Sequence, residues 1–378
     1  MNPRTIIDTF TDLVAFPTVT GDRDAAHEAF AYISHFLLER GLYVHRHESN
    51  GFESLVATTQ PTKTPRVMLA AHLDVVPAAP RLFKLEQRNG RLYGRGSCDM
   101  KFAIAAYLQL VDDLQEDIRL YDFGIVITSD EEVGGENGMK RLLELGYRAE
   151  AFVLPDGGDN WALEQSAKGV IWATVTASGQ SAHASRPWEG ENAIEKMMLF
   201  LQATQRELFA AQNEHSSTLN IGVLQGGSAA NQVADVCTAK LDIRTLNTEE
   251  HCRITARLRE LSQQYDVSLE MPINDPPISV DMGDPFVVAY AKSVEKAIGR
   301  PMQTVRSNGG SDARHIAHYN IPALVAYPNG GGRHSDEEWI ETESLFQFRD
   351  VIHDYLTQTA TMTPTPEFSA LETLTSIQ

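Results

Sequence analysis

Three short apolar runs in the first half of the chain each end in a polar cluster. They are VMLAA (67–71) before HLD, GIVIT (124–128) before SDEE, and AFVLP (151–155) before Asp156. Their length and β-branched residues predict buried strands, and helical stretches at 102–114 and 137–146 separate them. Strands that alternate with helices predict an α/β fold whose mainly parallel sheet has helices on both faces. The polar clusters would then meet at the carboxyl ends of the strands.

From about residue 168 the pattern changes. A strand (VIWATVTA), a helix near 190–213, the strands TLNIGVLQ and ADVCTAKLDIRT, a helix near 248–264 and the strand VSLEM follow one another. The order β-α-β-β-α-β predicts a two-layer α+β (ferredoxin-like) domain, residues 168–280, inserted into a larger domain formed by residues 1–167 and 281–378. The stretch 273–285, rich in Pro and Asp, is predicted to be the return linker.

Composition and charge narrow the classes of function. The 51 Asp and Glu residues against 32 Lys and Arg give a net charge of −19, which repels nucleic acid and anionic lipid. We therefore expect no nucleic-acid or membrane partner. Three scattered cysteines suit neither a disulfide framework nor a thiolate metal site. With no signal-peptide pattern and no apolar run of the ~18 residues that a membrane span needs, we expect a cytoplasmic protein.

Side chains of the types that bind metals occur in five segments, each after an apolar run or in a Gly-rich loop. The segments are AHLDVVP with His72 and Asp74, GRGSCDMK with Asp99, SDEEVGG with Glu131 and Glu132, LPDGG with Asp156, and GGGRHSDE with His334. Imidazole and carboxylate without thiolate are the ligands of catalytic zinc, cobalt or manganese. Three ligand carboxylates and one hydroxide balance two divalent cations, so the residues predict a dinuclear site.

In this order and at these distances, the five segments resemble the co-catalytic di-zinc peptidase and deacylase family. That family includes glutamate carboxypeptidase, succinyl-diaminopimelate desuccinylase, acetylornithine deacetylase, aminoacylase and the cytosolic dipeptidases, and the resemblance covers roughly residues 5–358. It implies two Zn²⁺ per chain, with Co²⁺ or Mn²⁺ as substitutes. The implied ligands are His72 and Asp156 for one ion, Glu132 and His334 for the other, and Asp99 as the bridge. The resemblance also implies Glu131 as general base and a cis peptide bond between Asp99 and Met100.

The local sequence suggests how two of these segments work. Asp74 lies two residues after His72, so on an extended segment both side chains point the same way and the carboxylate would orient the imidazole. The alternative is an aspartate of a turn. Glu131 and Glu132 would face opposite ways on extended backbone, so that Glu132 binds a metal while Glu131 reaches the attacking water. The alternative is a solvated pair in a loop.

A second group of candidate residues is predicted to bind substrate. The resemblance implies that His183 in SGQSAHASRPWEG stabilises the oxyanion, that Asn231 binds the substrate backbone, and that Arg244 in LDIRT binds a substrate carboxylate. The residues alone leave an ordinary loop histidine and the polar face of a half-buried strand open as alternatives. In RSNGGSDARHI, Ser311 and Arg314 could hold an anionic group at a helix start, with a structural turn as the alternative.

These residues predict hydrolysis of the amide bond in a small N-acyl amino acid or short peptide with a free carboxylate. A metal-bridged hydroxide would attack the carbonyl, with Glu131 accepting the proton. Asp156 is typical of the family's aminopeptidases and dipeptidases, whereas its deacylases usually have glutamate, so a dipeptidase or aminopeptidase is the alternative. A catalytically silent binding protein is another, but it would have no reason to retain Glu131. We also expect the inserted domain to act as a lid and to pair two chains as a homodimer.

Overall fold

The structure, a computed structural model, describes residues 5–362. Its helices are α1 (Ile6–Ala15), α2 (Arg23–Glu39), α3 (Lys101–Leu114), α4 (Met139–Glu144), α5 (Ala193–Leu208), α6 (Thr248–Gln264), α7 (Pro285–Ile298), α8 (Ala313–Ala317) and α9 (Thr342–Thr359). Its strands are β1 (Tyr43–Ser49), β2 (Phe52–Thr58), β3 (Val67–His72), β4 (Glu86–Arg88), β5 (Arg91–Tyr93), β6 (Phe123–Thr128), β7 (Ala151–Val153), β8 (Leu163–Ala167), β9 (Gly169–Ser178), β10 (Thr218–Gly226), β11 (Val236–Thr245), β12 (Val267–Asp275), β13 (Ile278–Ser279), β14 (Thr304–Ser307), β15 (Ala323–Leu324), β16 (Gly330–Gly331) and β17 (Trp339–Glu341).

The described residues form two compact units. The first comprises the described parts of Met1–Gln165, Val280–Arg306 and Ser311–Gln378, and the second comprises Ser166–Ser279 and Ser307–Gly310. The domain boundaries proposed from the sequence lie within two residues of the breaks at 165 and 280. The short segment Ser307–Gly310 belongs to the second unit, although the sequence analysis assigned it to the larger domain.

A six-stranded sheet with the order β1-β2-β6-β3-β7-β15 lies at the centre of the first unit. Strands β6, β3, β7 and β15 pair in parallel, which confirms the mainly parallel sheet. The antiparallel pair β1 and β2 extends one edge. Its two-residue turn, Asn50-Gly51, has positive φ at both positions (51° and 83°), as tight hairpins with right-twisted strands require. The sequence analysis did not predict this hairpin.

Helix α3 is buried over most of its length and begins with a buried lysine. The Nζ atom of Lys101 donates to the carbonyl oxygens of Leu13 at 3.1 Å and Phe16 at 2.7 Å, at the C-terminal end of α1. The carbonyl groups at a helix C-terminus attract a cation and offset part of the cost of burying it. Helix α3 also contacts α9, which packs on α7, so these four helices form one continuous layer.

The second unit is a four-stranded antiparallel sheet with the order β10-β11-β9-β12 and the helices α5 and α6. This confirms the β-α-β-β-α-β order predicted for the inserted domain. Its core includes Phe200 of α5, Leu258 of α6 and Val175 of β9. Strand β12 continues to Asp275 and β13 follows at Ile278, so the prediction of a linker beginning at residue 273 was wrong by several residues.

A smaller sheet, β16-β17-β5-β4, completes the first unit and was not predicted, because its strands have only two or three residues. It supports the loop between β16 and β17, which contains His334. Within residues 5–362, no helix has both the length and the apolar character needed to cross a bilayer.

Candidate metal centre

Three of the predicted ligands follow neighbouring strands of the main sheet. His72 is the last residue of β3, Glu132 follows β6, and Asp156 follows β7. Because β6, β3 and β7 are adjacent and parallel, their carboxyl ends meet at one edge of the sheet. Asp99 reaches this edge from the loop before α3, and His334 reaches it from the loop between β16 and β17.

The five predicted ligands form two groups that share one residue. His72, Asp99 and Asp156 make one group, and Asp99, Glu132 and His334 make the other, with ligand atoms in each group within 4.8 Å of one another. The Oδ1 atom of Asp99 lies 3.0 Å from Nε2 of His72, and its Oδ2 atom lies 3.2 Å from Nε2 of His334. The two carboxylate oxygens of Asp99 therefore face different groups, as a bridging ligand requires.

The charges in this cluster fit two bound cations. Burial, together with the negative charges of Glu131 and Asp99, raises the pKa of Asp156 well above its ordinary value. Burial alone would lower the pKa of His72, but its hydrogen bond with Asp99 and the nearby carboxylates raise it well above the usual range. Several carboxylates thus lie close together, and the two imidazoles and the nearby Arg333 guanidinium balance only part of their charge. Two divalent cations would supply the missing positive charge, and imidazole with carboxylate is a suitable donor set for zinc.

The two groups differ in their access to solvent. The His72 side chain is 1% exposed, whereas the His334 side chain is 56% exposed. His334 also has a φ of 61°, in the left-handed region that residues other than glycine rarely adopt. Backbone strain of this kind is common at functional sites and requires support from the surrounding structure. The group that contains His334 is therefore the more accessible of the two.

Asp74 contacts the site differently from the sequence interpretation. The Nδ1 atom of His72 lies 2.9 Å from the backbone carbonyl oxygen of Asp74, whereas the nearest carboxylate oxygen is 3.6 Å away. The carboxylate instead accepts hydrogen bonds from the backbone N–H groups of Glu131 at 3.3 Å and Glu132 at 3.2 Å, and from Oγ1 of Thr20 at 3.0 Å. Asp74 therefore orients the imidazole through its main chain and fixes the glutamate pair through its side chain.

Glu131 and Glu132 do not lie on extended backbone, so that premise of the sequence analysis was wrong. Residues Glu131–Val133 form a single 3₁₀ turn, and Asp74 caps its first two N–H groups. Burial raises the pKa of Glu131 to about 7, with the negative charges of Asp74 and Asp99 adding to the increase and His72 opposing it. A carboxyl group with a pKa near neutrality is well suited to accept and return a proton. The peptide bond between Asp99 and Met100 is cis, in agreement with the resemblance.

Ser311 and Arg314 have structural partners in the first unit. The Nη2 atom of Arg314 donates to the carbonyl oxygen of Gly134 at 2.6 Å, and the ring of His315 lies 3.0 Å from the same oxygen. Ser311 is buried, and its Oγ accepts a hydrogen bond from the backbone N–H of Ala313. These contacts brace the loop that follows Glu132 and favour the structural-turn alternative over an anion site.

The candidate substrate residues His183, Asn231 and Arg244 lie in the second unit. The backbone N–H of Ala184 donates to the carbonyl oxygen of Asn231 at 3.0 Å, so the structure brings the loops of His183 and Asn231 together. Arg244 makes a bidentate ion pair with Asp242, at 2.7 and 3.0 Å. This pair agrees with the alternative of a polar strand face and leaves Nη1 as the guanidinium nitrogen outside it.

Sequence reasoning missed two residues that hold this centre. Thr20 contacts Asp74, and a buried Glu338 binds the loop of Asp99. Glu338 lies four residues after His334, at the end of the run Asp336-Glu337-Glu338, but three consecutive acids give no signal of which one is buried. Thr20 precedes a Gly-Asp turn, and the sequence around it carries no comparable signal.

The comparisons with known proteins agree with this geometry. Residues 68–358 match the family described as peptidase family M20/M25/M40. The chain belongs to this family. It is 27% identical to a succinyl-diaminopimelate desuccinylase of Sulfurovum sp., covering 93% of this chain and 99% of the relative, and 26% identical to an acetylornithine deacetylase of Myxococcus xanthus, covering 79% and 82%. An aminopeptidase of Bacillus cereus has the same fold, with a TM-score of 0.76, 21% identity and coverage of 94% and 98%. This M20-family chain is a metal-dependent amidohydrolase.

Proposed function

We propose that the chain is a dinuclear zinc hydrolase that cleaves the amide bond of a small N-acyl amino acid or short peptide bearing a free carboxylate. The observation that carries the proposal is the shared position of Asp99 between two groups of ligands. The relatives named as a desuccinylase and a deacetylase act on N-acyl amino acids, which supports this class of substrate.

The proposed mechanism assigns a separate task to each group of side chains. Two divalent cations, when bound, would lower the pKa of a water molecule toward neutrality and polarise the scissile carbonyl. His72 and Asp156 would hold one cation, Glu132 and His334 the other, and Asp99 both. Glu131 would accept the proton of the attacking water and pass it to the departing amine.

His183 is suited to stabilise the oxyanion of the tetrahedral intermediate. Its Nδ1 atom lies 2.8 Å from Oγ of Ser185 and accepts from the Ser185 backbone N–H at 3.2 Å, so Nε2 is the ring nitrogen that faces away from these loop contacts. The side chain is exposed, so Nε2 can contact a substrate outside its own loop. A contact of this type contributes ~3 kcal/mol to the transition state in other acyl-transfer enzymes.

A dipeptidase or aminopeptidase remains the second candidate. One observation favours it: Asp156 stands where the deacylases of the family usually have glutamate. Arg244 is already paired with Asp242. A substrate carboxylate would have to share Arg244 with Asp242 or displace it. This holds equally for a dipeptide and for an N-acyl amino acid, since both carry a free carboxylate.

We further propose that the second unit pairs two chains. Strand β10 lies at the edge of its sheet, and its residues from Asn220 to Gly226 are exposed. Leu224 is 52% exposed, and Leu199 on α5 is 55% exposed. An edge strand with unpaired backbone groups and apolar side chains is suited to pair with the same strand of another copy.

The test is a hydrolysis assay of zinc-loaded protein on matched substrate pairs. N-acetyl and N-succinyl amino acids are compared with their carboxyl amides, and dipeptides with a free amine are compared with their N-acetylated forms. We expect the protein to cleave the N-acyl substrates, and we expect this cleavage to require both metal and a free carboxylate. Cleavage restricted to dipeptides with a free amine would establish the second candidate, and no metal-dependent cleavage of either class would refute both.

A further inference from the structure

A buried carboxylate outside the predicted ligand set holds the loop of the bridging aspartate. Glu338 directly precedes β17 and is 2% exposed. Its Oε2 atom accepts hydrogen bonds from Nη1 of Arg95 at 2.6 Å and from the backbone N–H of Gly96 at 3.1 Å. Its Oε1 atom accepts from the backbone N–H groups of Cys98 at 2.8 Å and Asp99 at 3.0 Å. One carboxylate therefore satisfies four donors from five consecutive residues.

The backbone of this loop is shaped to present its N–H groups together. Gly96 has a φ of 81°, and a Cβ atom there would come within 2.9 Å of the Lys101 side chain, so the position requires glycine. Several N–H groups that converge on one anion form a nest, and the Glu338 carboxylate is the anion of this nest. Without its charge, three buried N–H groups and the Arg95 guanidinium would lose their acceptor.

The same chain segment reaches Asp99 at two points. His334 contacts the carboxylate of Asp99 at 3.2 Å. Four residues later, the carboxylate of Glu338 accepts a hydrogen bond from the backbone N–H of Asp99 at 3.0 Å. The segment therefore fixes both the side-chain end and the main-chain end of the same residue. This closed arrangement determines how far the Asp99 carboxylate extends toward His334 and toward His72.

We propose that Glu338 is a positioning residue for the bridging carboxylate: through the backbone of the Asp99 loop it aims the two oxygens of Asp99 at separate metal groups. The inference rests on the proposed dinuclear function. It distinguishes Glu338 from a buried glutamate that only stabilises the fold, because its loss would change metal binding as well as stability.

The chain offers a matched control. Glu150 is also a buried glutamate beside an arginine, with its carboxylate 3.5 Å from Nε of Arg66. Glu150 directly precedes β7 and Arg66 directly precedes β3, so this pair lies at the amino ends of the strands. The metal ligands His72 and Asp156 lie at the opposite ends. Replacing Glu150 removes a comparable buried charge without reaching the Asp99 loop.

The experiment titrates Co²⁺ into metal-free protein and follows binding by calorimetry and by the visible spectrum of the bound ion. Wild-type protein is expected to bind two ions. Glu338→Gln is expected to bind at least one of them 10–100-fold more weakly, with an altered spectrum, as is common when a residue that orients a ligand is lost. Glu150→Gln is expected to lose thermal stability but to keep both affinities and the spectrum. At saturating metal, Glu338→Gln should lower kcat with little change in KM.

A second variant covers the case in which Glu338→Gln does not fold. Glu338→Asp keeps the charge beside Arg95 but is one methylene shorter, so it cannot reach all four donors, and it should also weaken Co²⁺ binding. Wild-type affinity and spectrum in whichever of these variants folds would overturn the proposal, as would an equal loss of affinity in Glu150→Gln. Failure of wild-type protein to bind two ions would instead refute the dinuclear function and the inference that rests on it.

Discussion

Replacing Glu131 by glutamine should make the metal-free protein more stable at neutral pH. The same change should remove most of the activity of the zinc-loaded protein. The folded protein raises the pKa of this carboxyl group from 4.5 to about 7, mainly through burial. The ionised form is therefore less favourable in the folded state than in the unfolded chain. Glutamine has nearly the same shape and carries no charge, so it avoids this cost.

The magnitude and its pH dependence follow from the two pKa values. A difference between 4.5 and about 7 corresponds to about 3 kcal/mol. Below pH 4.5 the carboxyl group is protonated in both states and costs nothing. The cost grows as the pH rises, and it is complete above the folded pKa of about 7. The stability gain of the variant should therefore be near zero at pH 4.5 and full at pH 8.

The assay is thermal and urea unfolding of metal-free wild type and Glu131→Gln at pH 5 and pH 8. At pH 8 the variant should melt roughly 4–6 °C higher, whereas at pH 5 the two proteins should nearly coincide. Loaded with zinc, the variant should retain its metal but lose about 10²–10⁴-fold in kcat, since the amide cannot accept a proton. The control is Glu136→Gln, which removes an exposed charge that is paired with Lys140 in the same loop. It should change neither the melting temperature nor kcat much. A gain independent of pH, or a variant less stable at pH 8, would refute the reasoning.

Three further outcomes test other parts of the site. Asp99→Ala should lose both metal ions together, and atomic absorption showing one or two ions retained would mean that Asp99 is not the bridge. Arg244→Ala should raise KM for substrates with a free carboxylate and not for their amides. Lys240→Ala, on the same strand face, is the control and should leave KM unchanged for both kinds of substrate. If Arg244→Ala raises KM equally for the carboxylates and the amides, Arg244 is only part of the strand surface. If His183 acts on the neighbouring chain, mixing inactive His183→Ala and inactive Glu131→Gln proteins under subunit exchange should restore part of the activity. No recovery despite demonstrated exchange would show that His183 serves its own chain or is structural.

The sequence predicted the main sheet and the converging residues well because both depend on local patterns. A buried parallel strand is a continuous apolar run, and the residues that follow it must meet at one edge of the sheet. His72, Glu132 and Asp156 follow three such runs. The hairpin of β1 and β2 was missed although Asn50-Gly51 is a strong turn signal, because the strand YVHRHES is mostly exposed and shows no apolar alternation.

The backbone geometry around the site was harder to predict from the sequence than the types of its residues. An aspartate two residues after a histidine suggested a contact between the two side chains, but β3 ends at His72 and the main-chain carbonyl oxygen of Asp74 contacts the ring instead. The Asp74 carboxylate is thereby free to cap the turn at Glu131 and Glu132. The error at Glu131 and Glu132 arises because extended backbone was assumed beyond the end of β6, where the chain instead forms a 3₁₀ turn that the distant Asp74 caps.

The acidic run Asp336-Glu337-Glu338 shows why ligands are easier to predict than the residues that position them. Each of these acids pairs with a different arginine, Arg81, Arg88 or Arg95. The pairs with Arg81 and Arg88 lie at the surface and contribute little to the stability of the fold, whereas the pair with Arg95 is buried.

A metal ligand must be one of a few residue types, which the sequence displays directly. Glu338 instead binds backbone N–H groups that every residue except proline possesses, some 240 positions earlier in the chain. Its role therefore follows only from which of three similar acids the fold buries. That choice is made by the small sheet that brings β17 beside β5, which the sequence pattern did not reveal. Residues of this kind are best sought in a structure by asking which buried carboxylates accept the N–H groups of a ligand-bearing loop.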